Sequence, residues 1–162
     1  MAFEIERKYL IEYPDLNILE NYPKSDIAQT YLKTNDGMTS RVRKRTKDGV
    51  TKYIFTEKKR ITDLKCIENE REITAEEYAE LLTLADTERR TVIKTRYCIP
   101  YSGRVVEVDI YPFWSDRAIA EVEMEREDEE VCLPDFIKVI RDVTAERAYK
   151  NASIAKKIPD DC

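Results

Sequence analysis

The feature that most constrains the fold of this sequence is a period-two alternation of charged and apolar residues along much of the chain. Arg41-Val42-Arg43 and Glu121-Val122-Glu123 are typical examples. Successive side chains of a β-strand point to opposite faces, so the alternation predicts strands with one charged and one apolar face. We place eight strands on this pattern, at residues 3–11, 27–35, 38–47, 50–60, 67–74, 90–99, 104–111 and 119–126.

Turn signals connect several of these strands into hairpins. Each of the three glycines follows a small polar residue between two predicted strands, at Asp36-Gly37, Asp48-Gly49 and Ser102-Gly103. Such pairs supply the positive φ angles that two-residue hairpin turns require. The sequence therefore predicts a mainly antiparallel sheet in which most neighbouring strands are also consecutive in the chain.

Helices are predicted in the remaining segments. Thr74 and Glu77 have the spacing of a capping box, which predicts a helix that runs to about Asp86. Thr144 predicts the start of a last helix that extends through about Lys157. Two prolines mark breaks before short helical pieces, Pro14 and Pro134.

The charges on one face of a strand share their sign. Arginines and lysines group on some strands (Arg41 with Arg43, Lys94 with Arg96), and glutamates group on others (Glu4 with Glu6, Glu121 with Glu123). A strand half exposed to solvent also shows a charged face, but like charges two residues apart repel, so a solvated face favours mixed signs. Segregated signs favour a bound oligophosphate with Mg²⁺ or Mn²⁺, because phosphates bind Arg and Lys while these cations bind carboxylates. A closed barrel with an inward charged face would concentrate both groups, and helices or a second subunit in a homodimer would cover its apolar exterior.

Composition excludes several functions. The chain has no histidine, so it has no imidazole metal site and no histidine-activated nucleophile, and three glycines are too few for a phosphate-binding loop. Its widely spaced cysteines favour reduced thiols in a cytosol, although a disulfide stays open: Cys66, Cys98, Cys132 and Cys162. The charged beginning and the lack of a long apolar run indicate a cytoplasmic protein without membrane contact, and the net charge of −5 argues against nucleic acid as a partner. The length of 162 residues predicts a single domain, 1–162.

The order of the charged motifs resembles that of the CYTH superfamily, the triphosphate tunnel metalloenzymes, and in particular its short bacterial inorganic triphosphatase-like members. The sequence begins with an E-x-E-x-K element, Glu4-Ile5-Glu6-Arg7-Lys8. The matching strand motifs follow in order: Arg41-Val42-Arg43, Thr56-Glu57-Lys58, Glu70-Arg71-Glu72, Lys94-Thr95-Arg96-Tyr97, Glu107-Val108-Asp109 and Glu121-Val122-Glu123. Asp142-Val143-Thr144 and Tyr149-Lys150-Asn151 resemble the closing motif of those members, so the resemblance spans about residues 3–157.

The resemblance implies an α+β fold that is mainly antiparallel β, an eight-stranded closed barrel with a charged interior and helices packed outside. It implies metal ligands at Glu4, Glu6, Glu72, Asp109, Glu121 and Glu123. It implies phosphate ligands at Lys8, Arg41, Arg43, Lys58, Lys94 and Arg96. The suggested catalytic residues are Glu6, Lys8 and Lys94. Of these, Lys8 and Lys94 are the two candidates for the general base. One departure is Glu68, which stands where short members often have an arginine.

The implied reaction is the metal-dependent hydrolysis of a phosphoanhydride in inorganic triphosphate or a nucleoside triphosphate, with Mg²⁺ or Mn²⁺ as cofactor. A class IV-type adenylyl cyclase, which converts ATP to cyclic AMP and pyrophosphate, is the main alternative. A thiamine triphosphatase would need an aromatic platform, which Phe113 and Trp114 provide unless they pack in the core. A non-catalytic polyphosphate-binding protein is a further alternative, although inward carboxylates would repel its ligand unless a metal is present.

Overall fold

The computed structural model describes residues 2–34 and 37–159, and most of them lie in antiparallel strands. The strands are β1 (Ala2–Glu12), β2 (Lys24–Tyr31), β3 (Met38–Lys47), β4 (Val50–Arg60), β5 (Lys65–Ile73), β6 (Val92–Tyr101), β7 (Arg104–Ile110), β8 (Arg117–Met124) and β9 (Val139–Asp142). The helices are short: α1 (Leu16–Leu19), α2 (Ala75–Leu82), a 3₁₀ helix (Arg147–Tyr149) and α3 (Asn151–Ile154). No helix in these described ranges has the length and apolar character to cross a bilayer.

The first eight strands close into a barrel because β1 pairs on both of its edges. The sheet runs in the order β5-β4-β3-β2-β6-β7-β8-β1, and β1 also pairs with β5 to complete the ring. The start of β1 lies against β5, while its remainder lies against β8. Further along, β1 takes β9 as an additional neighbour where β5 has diverged from it. The predicted fold class, an eight-stranded closed antiparallel barrel, is confirmed, and β9 is an extra strand that the sequence pattern missed.

The predicted hairpin turns between β3 and β4 and between β6 and β7 are confirmed. Asp48 and Gly49 have φ angles of 52° and 77°, and Ser102 and Gly103 have 52° and 76°. Two consecutive positive φ values are the signature of a type I′ turn, whose twist matches that of the flanking strands. The predicted turn at 36–37 and the predicted strand end at residue 35 lie partly outside the described residues.

Apolar outer faces of the barrel are covered by helices and loops. Helix α2 begins with the predicted capping box. The Thr74 hydroxyl oxygen accepts the Glu77 backbone N–H, and the Glu77 carboxylate accepts the Thr74 backbone N–H. Leu81 and Leu82 of α2 pack against the buried cluster of Leu32, Val42 and Ile73. On β6, β7 and β8, a second apolar layer is covered by α1 and by the loop that precedes β9.

Two helix predictions are wrong in extent. Helix α2 ends at Leu82 rather than near Asp86, because the chain turns there to pair with the residues at the end of β2. Ala85 forms a bridge with Leu32, and the Asp86 N–H donates to the Tyr31 carbonyl at 2.9 Å. After Pro134 the chain forms a turn rather than a helical piece. That turn is held by the Ile137 N–H, which donates to the Pro134 carbonyl at 3.0 Å.

The predicted C-terminal helix over 144–157 is also wrong. The chain forms only the 3₁₀ turn and α3 there, separated by Lys150 in an extended conformation. Thr144 does not cap a helix, because its hydroxyl oxygen accepts the backbone N–H of Lys8 at 3.0 Å. The Thr144 N–H is in turn accepted by the Asp142 side chain at 2.8 Å. The threonine therefore attaches the C-terminal segment to β1.

The C-terminal segment closes one end of the barrel. Leu10 of β1 and Ile119 of β8 lie on the interior face and form an apolar cluster with Tyr149 and Ile154. Trp114 belongs to the same cluster and packs edge-on against Tyr111, with ring centroids 5.4 Å apart. Trp114 is thus a core residue at this closed end. We call this cluster of Leu10, Trp114, Ile119, Tyr149, Ile154 and their apolar neighbours the apolar plug.

Three cysteines lie in the described part of the chain, and their reduced state in a cytosol stays a prediction. The described cysteines Cys66, Cys98 and Cys132 are free thiols. Cys162 lies outside the described residues, so its pairing stays a prediction.

Candidate functional site

The strand register brings most of the predicted site residues onto the interior face of the barrel. Cross-strand partners share one face of a sheet. Lys8 lies opposite Glu121, and Glu6 lies opposite Glu123, across the β1–β8 pair. Other interior pairs join the neighbouring strands in the same way: Arg43 with Gln29, Arg41 with Thr56, Lys58 with Glu68, and Arg96 with Asp109. The alternation in the sequence therefore encodes the lining of a tunnel.

Carboxylates crowd together on β1 and β8. Glu6 is the clearest case: burial, with the nearby charges of Glu121 and Glu4, raises its pKa to about 8. The pKa of Glu4 is also raised, chiefly by burial and by a hydrogen bond with Glu68. Glu6 makes no ion pair with any residue in the described ranges. Its ionised form therefore lacks a cation of its own.

Two lysines offset part of this negative charge. The Lys8 ammonium lies 3.3 Å from Glu121 Oε1 and donates to the Tyr149 carbonyl at 3.2 Å. Lys58 bridges two carboxylates, at 2.8 Å from Glu4 Oε1 and 3.2 Å from Glu68 Oε2. Burial lowers the pKa of Lys58, but its acidic neighbours outweigh that effect and raise the pKa overall. Lys58 is thus charged and held between Glu4 and Glu68.

A second ionic cluster lies between β6 and β7, and it is closely paired. Asp109 is fully buried and accepts two hydrogen bonds from the Arg96 guanidinium, at 2.7 and 2.9 Å. The Lys94 ammonium lies 2.7 Å from the same carboxylate. Burial raises the pKa of Asp109, but Arg96 and Lys94 together lower it below its usual value. Burial, with Arg96 and Arg43 nearby, lowers the pKa of Lys94 to about 7, even though Asp109 acts in the opposite direction.

Two arginines of β3 complete the basic wall with few partners. Arg41 and Arg43 are buried, and their Nε atoms make no hydrogen bond with a described residue. Arg43 donates through Nη2 to Gln29 Oε1 at 2.8 Å. Burial and the charges of Arg41 and Arg96 lower the pKa of Arg43 to about 9. Buried guanidinium groups with little counter-charge are arranged to receive an anion.

The tunnel leads away from the apolar plug into a cavity of about 680 Å³ at the β6–β7 turn and the end of β8. A much smaller cavity of about 10 Å³ lies where Glu4, Glu6 and Lys8 meet the C-terminal segment. Between the two cavities the interior holds ion-paired side chains, among them Lys8 with Glu121 and Lys94 with Asp109. A ligand that enters must take over some of these pairings.

Comparison with known proteins gives matches among solved structures, whereas no protein-family model and no curated protein matches. The inorganic triphosphatase NE1496 is 29% identical, with a TM-score of 0.62 over 99% of this chain and 99% of that chain. PH1819 from Pyrococcus horikoshii OT3 has a TM-score of 0.57 at 20% identity, over 77% of this chain and 80% of that chain. HpAC1 from Hippeastrum, described as having a dominant triphosphatase activity, has a TM-score of 0.52 at 15% identity, over 75% and 80%. At these lower identities the last two show the fold alone.

The chain has the CYTH-like tunnel fold. The resemblance drawn from the motifs is therefore confirmed for the architecture.

Two of the predicted metal ligands of the CYTH-like tunnel have distinctive surroundings. Asp109 already accepts bonds from two cations. Glu72 is exposed and faces Ile54 across the sheet. It lies four residues beyond Glu68 on β5, roughly 13 Å along the strand. Their assignment as ligands stays a prediction, and neither side chain joins the carboxylate group around Glu6.

The sequence reasoning missed some residues of the tunnel. Glu68 shares the interior face with Glu70 and Glu72, so its parity carried a signal, and it pairs with Lys58. Lys150 and Arg60 line the small cavity beside Glu6. No local pattern places Lys150 there, because the C-terminal segment reaches the tunnel only through long-range contacts with β1.

The donor set of the acidic wall fits a divalent cation. Across residues 2–34 and 37–159, no three carboxylates or thiols are already arranged as a metal site. However, Glu6 lies among Glu4 and Glu121 with its pKa raised, and Glu121 Oε1 has no hydrogen bond within the described chain. Mg²⁺ and Mn²⁺ prefer oxygen donors, and the carboxylates of this wall supply them. A hard divalent cation would relieve the repulsion among these groups.

Proposed function

We propose that this protein hydrolyses a phosphoanhydride bond of inorganic triphosphate or a nucleoside triphosphate, with Mg²⁺ or Mn²⁺ held by its acidic wall. The observation that carries the proposal is that one tunnel contains both buried cations whose Nε atoms lack acceptors and a buried acid that lacks an ion-pair partner among the described residues. Arg41 and Arg43 are buried cations whose Nε atoms have no acceptor among the described residues, and Glu6 is a buried acid that makes no ion pair with them. A metal-bound triphosphate supplies both missing charges. The 29% identity to the inorganic triphosphatase NE1496 over 99% of both chains supports the same class of reaction.

The basic wall would bind the phosphates. Arg41 and Arg43 of β3 offer guanidinium groups, which suit the paired oxygens of a phosphate. Arg96 is anchored by Asp109 and is thereby oriented toward the interior. Lys58 and Lys8 are held at the boundary between the two walls by Glu4 and Glu121. These contacts fix the direction of each cation before a substrate arrives.

Glu4, Glu6, Glu121 and Glu123 would hold the cation. When bound, Mg²⁺ or Mn²⁺ supplies charge neutralisation on the phosphoryl oxygens and lowers the pKa of the attacking water. The positive side chains of the opposite wall would stabilise charge on the transferred phosphoryl group.

Proton removal from the attacking water needs a base, and the chain has no histidine. Lys94 is a candidate because its pKa is lowered to about 7, mainly by burial, so a neutral amine is populated near neutral pH. Lys8 stays the other candidate that the sequence names, and its ammonium lies on the interior face, 3.3 Å from Glu121 Oε1. Asp109 would hold Lys94 in place while it accepts the proton.

The adenylyl cyclase alternative would need a site for adenine. Trp114 and its aromatic neighbours are enclosed in the apolar plug. No aromatic side chain lines the described part of the large cavity at the open end. The same argument applies to the aromatic platform of a thiamine triphosphatase. Hydrolysis is therefore the reaction that the geometry supports best.

The decisive experiment measures phosphate release from tripolyphosphate and ATP with Mg²⁺, Mn²⁺ or EDTA. Glu6→Gln is expected to lower release about 100-fold or more, because the variant loses a charge that holds the cation. Glu12→Gln, on the same strand but exposed, is the matched control and should behave as wild type. Absence of metal-dependent release from either substrate would refute hydrolysis. Cyclic AMP formed from ATP would favour the cyclase instead, and triphosphate binding without any product would favour a polyphosphate-binding protein.

A further inference from the structure

Three charged side chains from three strands meet where the barrel closes. Glu68 of β5 lies opposite Lys58 of β4 on one edge and opposite Ala2 of β1 on the other. Glu4 follows Ala2 by two residues in β1. The pairing of β1 with β5 therefore brings Glu4 beside Lys58 and Glu68, although the three residues are far apart in the chain.

The two carboxylates hold the Lys58 ammonium unequally. The ammonium donates a hydrogen bond to Glu4 Oε1 at 2.8 Å. It also lies 3.2 Å from Glu68 Oε2, but this oxygen is enclosed and accepts no hydrogen bond from the residues that the structure describes. An enclosed carboxylate oxygen without a hydrogen bond raises the free energy of the folded state. Glu68 thus offers Lys58 an unused acceptor within hydrogen-bonding distance.

The proposed function gives Glu4 a second partner, because Glu4 is one of the four acids assigned to Mg²⁺ or Mn²⁺. A cation bound there takes up the carboxylate that now accepts from Lys58, and it repels the ammonium. The three side chains are at most 22% exposed, so water replaces the lost pairing only in part. Cation binding is therefore unfavourable at this point unless Lys58 keeps another counter-charge.

The charges around Lys58 leave Glu68 as that counter-charge. Within residues 2–34 and 37–159, Lys58 forms ion pairs with Glu4 and Glu68 alone. Arg41 is a neighbouring cation and acts against the charge of Lys58. The other acids within electrostatic reach of Lys58 are all assigned to the cation: Glu6, Glu121 and Glu123. Once a cation holds these acids and Glu4, Glu68 is the acid of this group that still pairs with Lys58.

We propose, on the basis of the proposed function, that Glu68 is a positioning residue that keeps Lys58 paired on the tunnel wall when the cation takes Glu4. The hydrogen bond of the Lys58 ammonium passes from Glu4 Oε1 to Glu68 Oε2, and Glu4 becomes free to bind Mg²⁺ or Mn²⁺. Glu68 contacts the lysine and not the cation. An arginine, which short CYTH members often have at this position, would repel Lys58 instead. The role therefore belongs to the glutamate of this chain.

Four variants test this role against wild type. Glu68→Gln removes the charge of Glu68 and keeps the size of the side chain. Lys58→Met removes the competing ammonium, and the double variant Glu68→Gln with Lys58→Met removes both charges. Glu57→Gln is the matched control, because it removes one acid from β4 beside Lys58 but on the outer face, opposite Ser40 and Asn69. Circular dichroism establishes that each variant is folded.

The experiment measures Mn²⁺ binding in the absence of substrate, from the electron paramagnetic resonance signal of the free ion. Glu68→Gln should weaken Mn²⁺ binding about tenfold, because residues in contact couple by this order of magnitude. In the Lys58→Met background the same substitution should weaken binding about threefold or less, because no ammonium competes for Glu4. Lys58→Met alone should bind Mn²⁺ more tightly than wild type, and Glu57→Gln should bind it as wild type does.

Phosphate release from tripolyphosphate is measured in parallel over a range of Mn²⁺ concentrations. Glu68→Gln should need about tenfold more Mn²⁺ than wild type for half-maximal release. The binding measurement does not depend on turnover, so it decides the role of Glu68 separately from the reaction.

Equal weakening of Mn²⁺ binding by Glu68→Gln in both backgrounds would make Glu68 a ligand of the cation and overturn the positioning role. Unchanged Mn²⁺ binding in Glu68→Gln would overturn it as well. The expected dependence on Lys58 without phosphate release from wild type would support the role of Glu68 and refute the hydrolytic function. Absence of Mn²⁺ binding to wild type would overturn both proposals.

Discussion

Two ionic clusters share this tunnel, and they are built differently. Around Asp109, one fully buried acid is paired with Lys94 and Arg96, and its pKa is lowered. Around Glu6, several acids lie together with too few cations, and the pKa of Glu6 is raised to about 8, mainly by burial. The first cluster is electrostatically complete within the protein, whereas the second is not.

The difference separates two roles that look alike in the sequence. Glu6 and Asp109 both occupy alternating acidic positions on interior faces. A carboxylate already neutralised by two buried cations gains little from a metal ion, but it orients those cations. A carboxylate among other carboxylates gains most from one. We therefore expect Asp109 to act as the counter-ion of the basic wall and Glu6 to act as a ligand of the cation.

Breaking the complete cluster should have the largest effect on stability. Asp109→Asn leaves Lys94 and Arg96 buried without their shared counter-ion, so we expect a loss of about 3–5 kcal/mol in the free energy of unfolding. Asp116→Asn, at an exposed surface pair with Arg117, is the control and should have a much smaller effect, because water screens an exposed pair. Urea unfolding followed by circular dichroism measures both. Equal effects would contradict the role assigned to Asp109.

The incomplete cluster should make stability depend on pH in the metal-free protein. Because the pKa of Glu6 is about 8 in the folded state against 4.5 ordinarily, the folded state holds this proton more tightly. Stability from this group is then present below pH 4.5 and lost as the pH rises toward 8. Over this range in EDTA, wild type should lose about 3–5 kcal/mol relative to Glu6→Gln. Parallel unfolding curves for the two proteins at every pH would exclude the effect.

Addition of a divalent cation should sharpen the contrast between the clusters. At a free Mg²⁺ or Mn²⁺ concentration ten times the dissociation constant, wild type should gain about 1.4 kcal/mol of stability. Glu6→Gln should lose most of this gain, whereas Asp109→Asn should keep it if Asp109 is only a counter-ion. Thermal unfolding with and without the metal measures the difference. A gain that disappears in Asp109→Asn would instead make that residue a ligand.

The smallest expected effect concerns the contact that closes the tunnel beside Lys8. Thr144→Val removes the acceptor of the Lys8 N–H, a bond of 3.0 Å, at a cost of about 1 kcal/mol. Thr34→Val, which removes an exposed hydroxyl bond to the Met38 carbonyl, is the matched control and should cost less. Urea midpoints compare the two. A Thr144→Val variant as stable as wild type would show that this bond does not hold the C-terminal segment in place.

Much of the fold could be predicted because its signals are local. Alternation over a few residues assigned the interior faces, and the pairs at Asp48-Gly49 and Ser102-Gly103 fixed two hairpins. The capping box at Thr74 was also correct, since it depends on residues three apart. The last helix failed because Thr144 bonds to Lys8, 136 residues away, rather than to its own next turn. In the sequence, a threonine that caps a helix looks the same as a threonine whose hydroxyl bonds to the backbone of a distant strand.

The sequence predicted which residues lie in the candidate site better than it predicted which of them pair with one another. The interior positions of Glu6, Lys94, Arg43 and Glu121 follow from parity. Their roles as metal or phosphate ligands stay predictions. Glu68 was seen only as a departure, yet it lies in the tunnel and helps to hold Lys58.

The sequence by itself determined which side chains face inward and which charges lie on each strand, because strand geometry repeats every two residues. Only the tertiary structure decided which acid meets which base. Closure of the barrel brings Asp109 onto Lys94 and Arg96, while it leaves Glu6 beside Glu4 and Glu121. It also decided that the C-terminal segment closes one end and that acids gather at the other. These outcomes depend on the register of strands distant in the chain, which local periodicity does not encode.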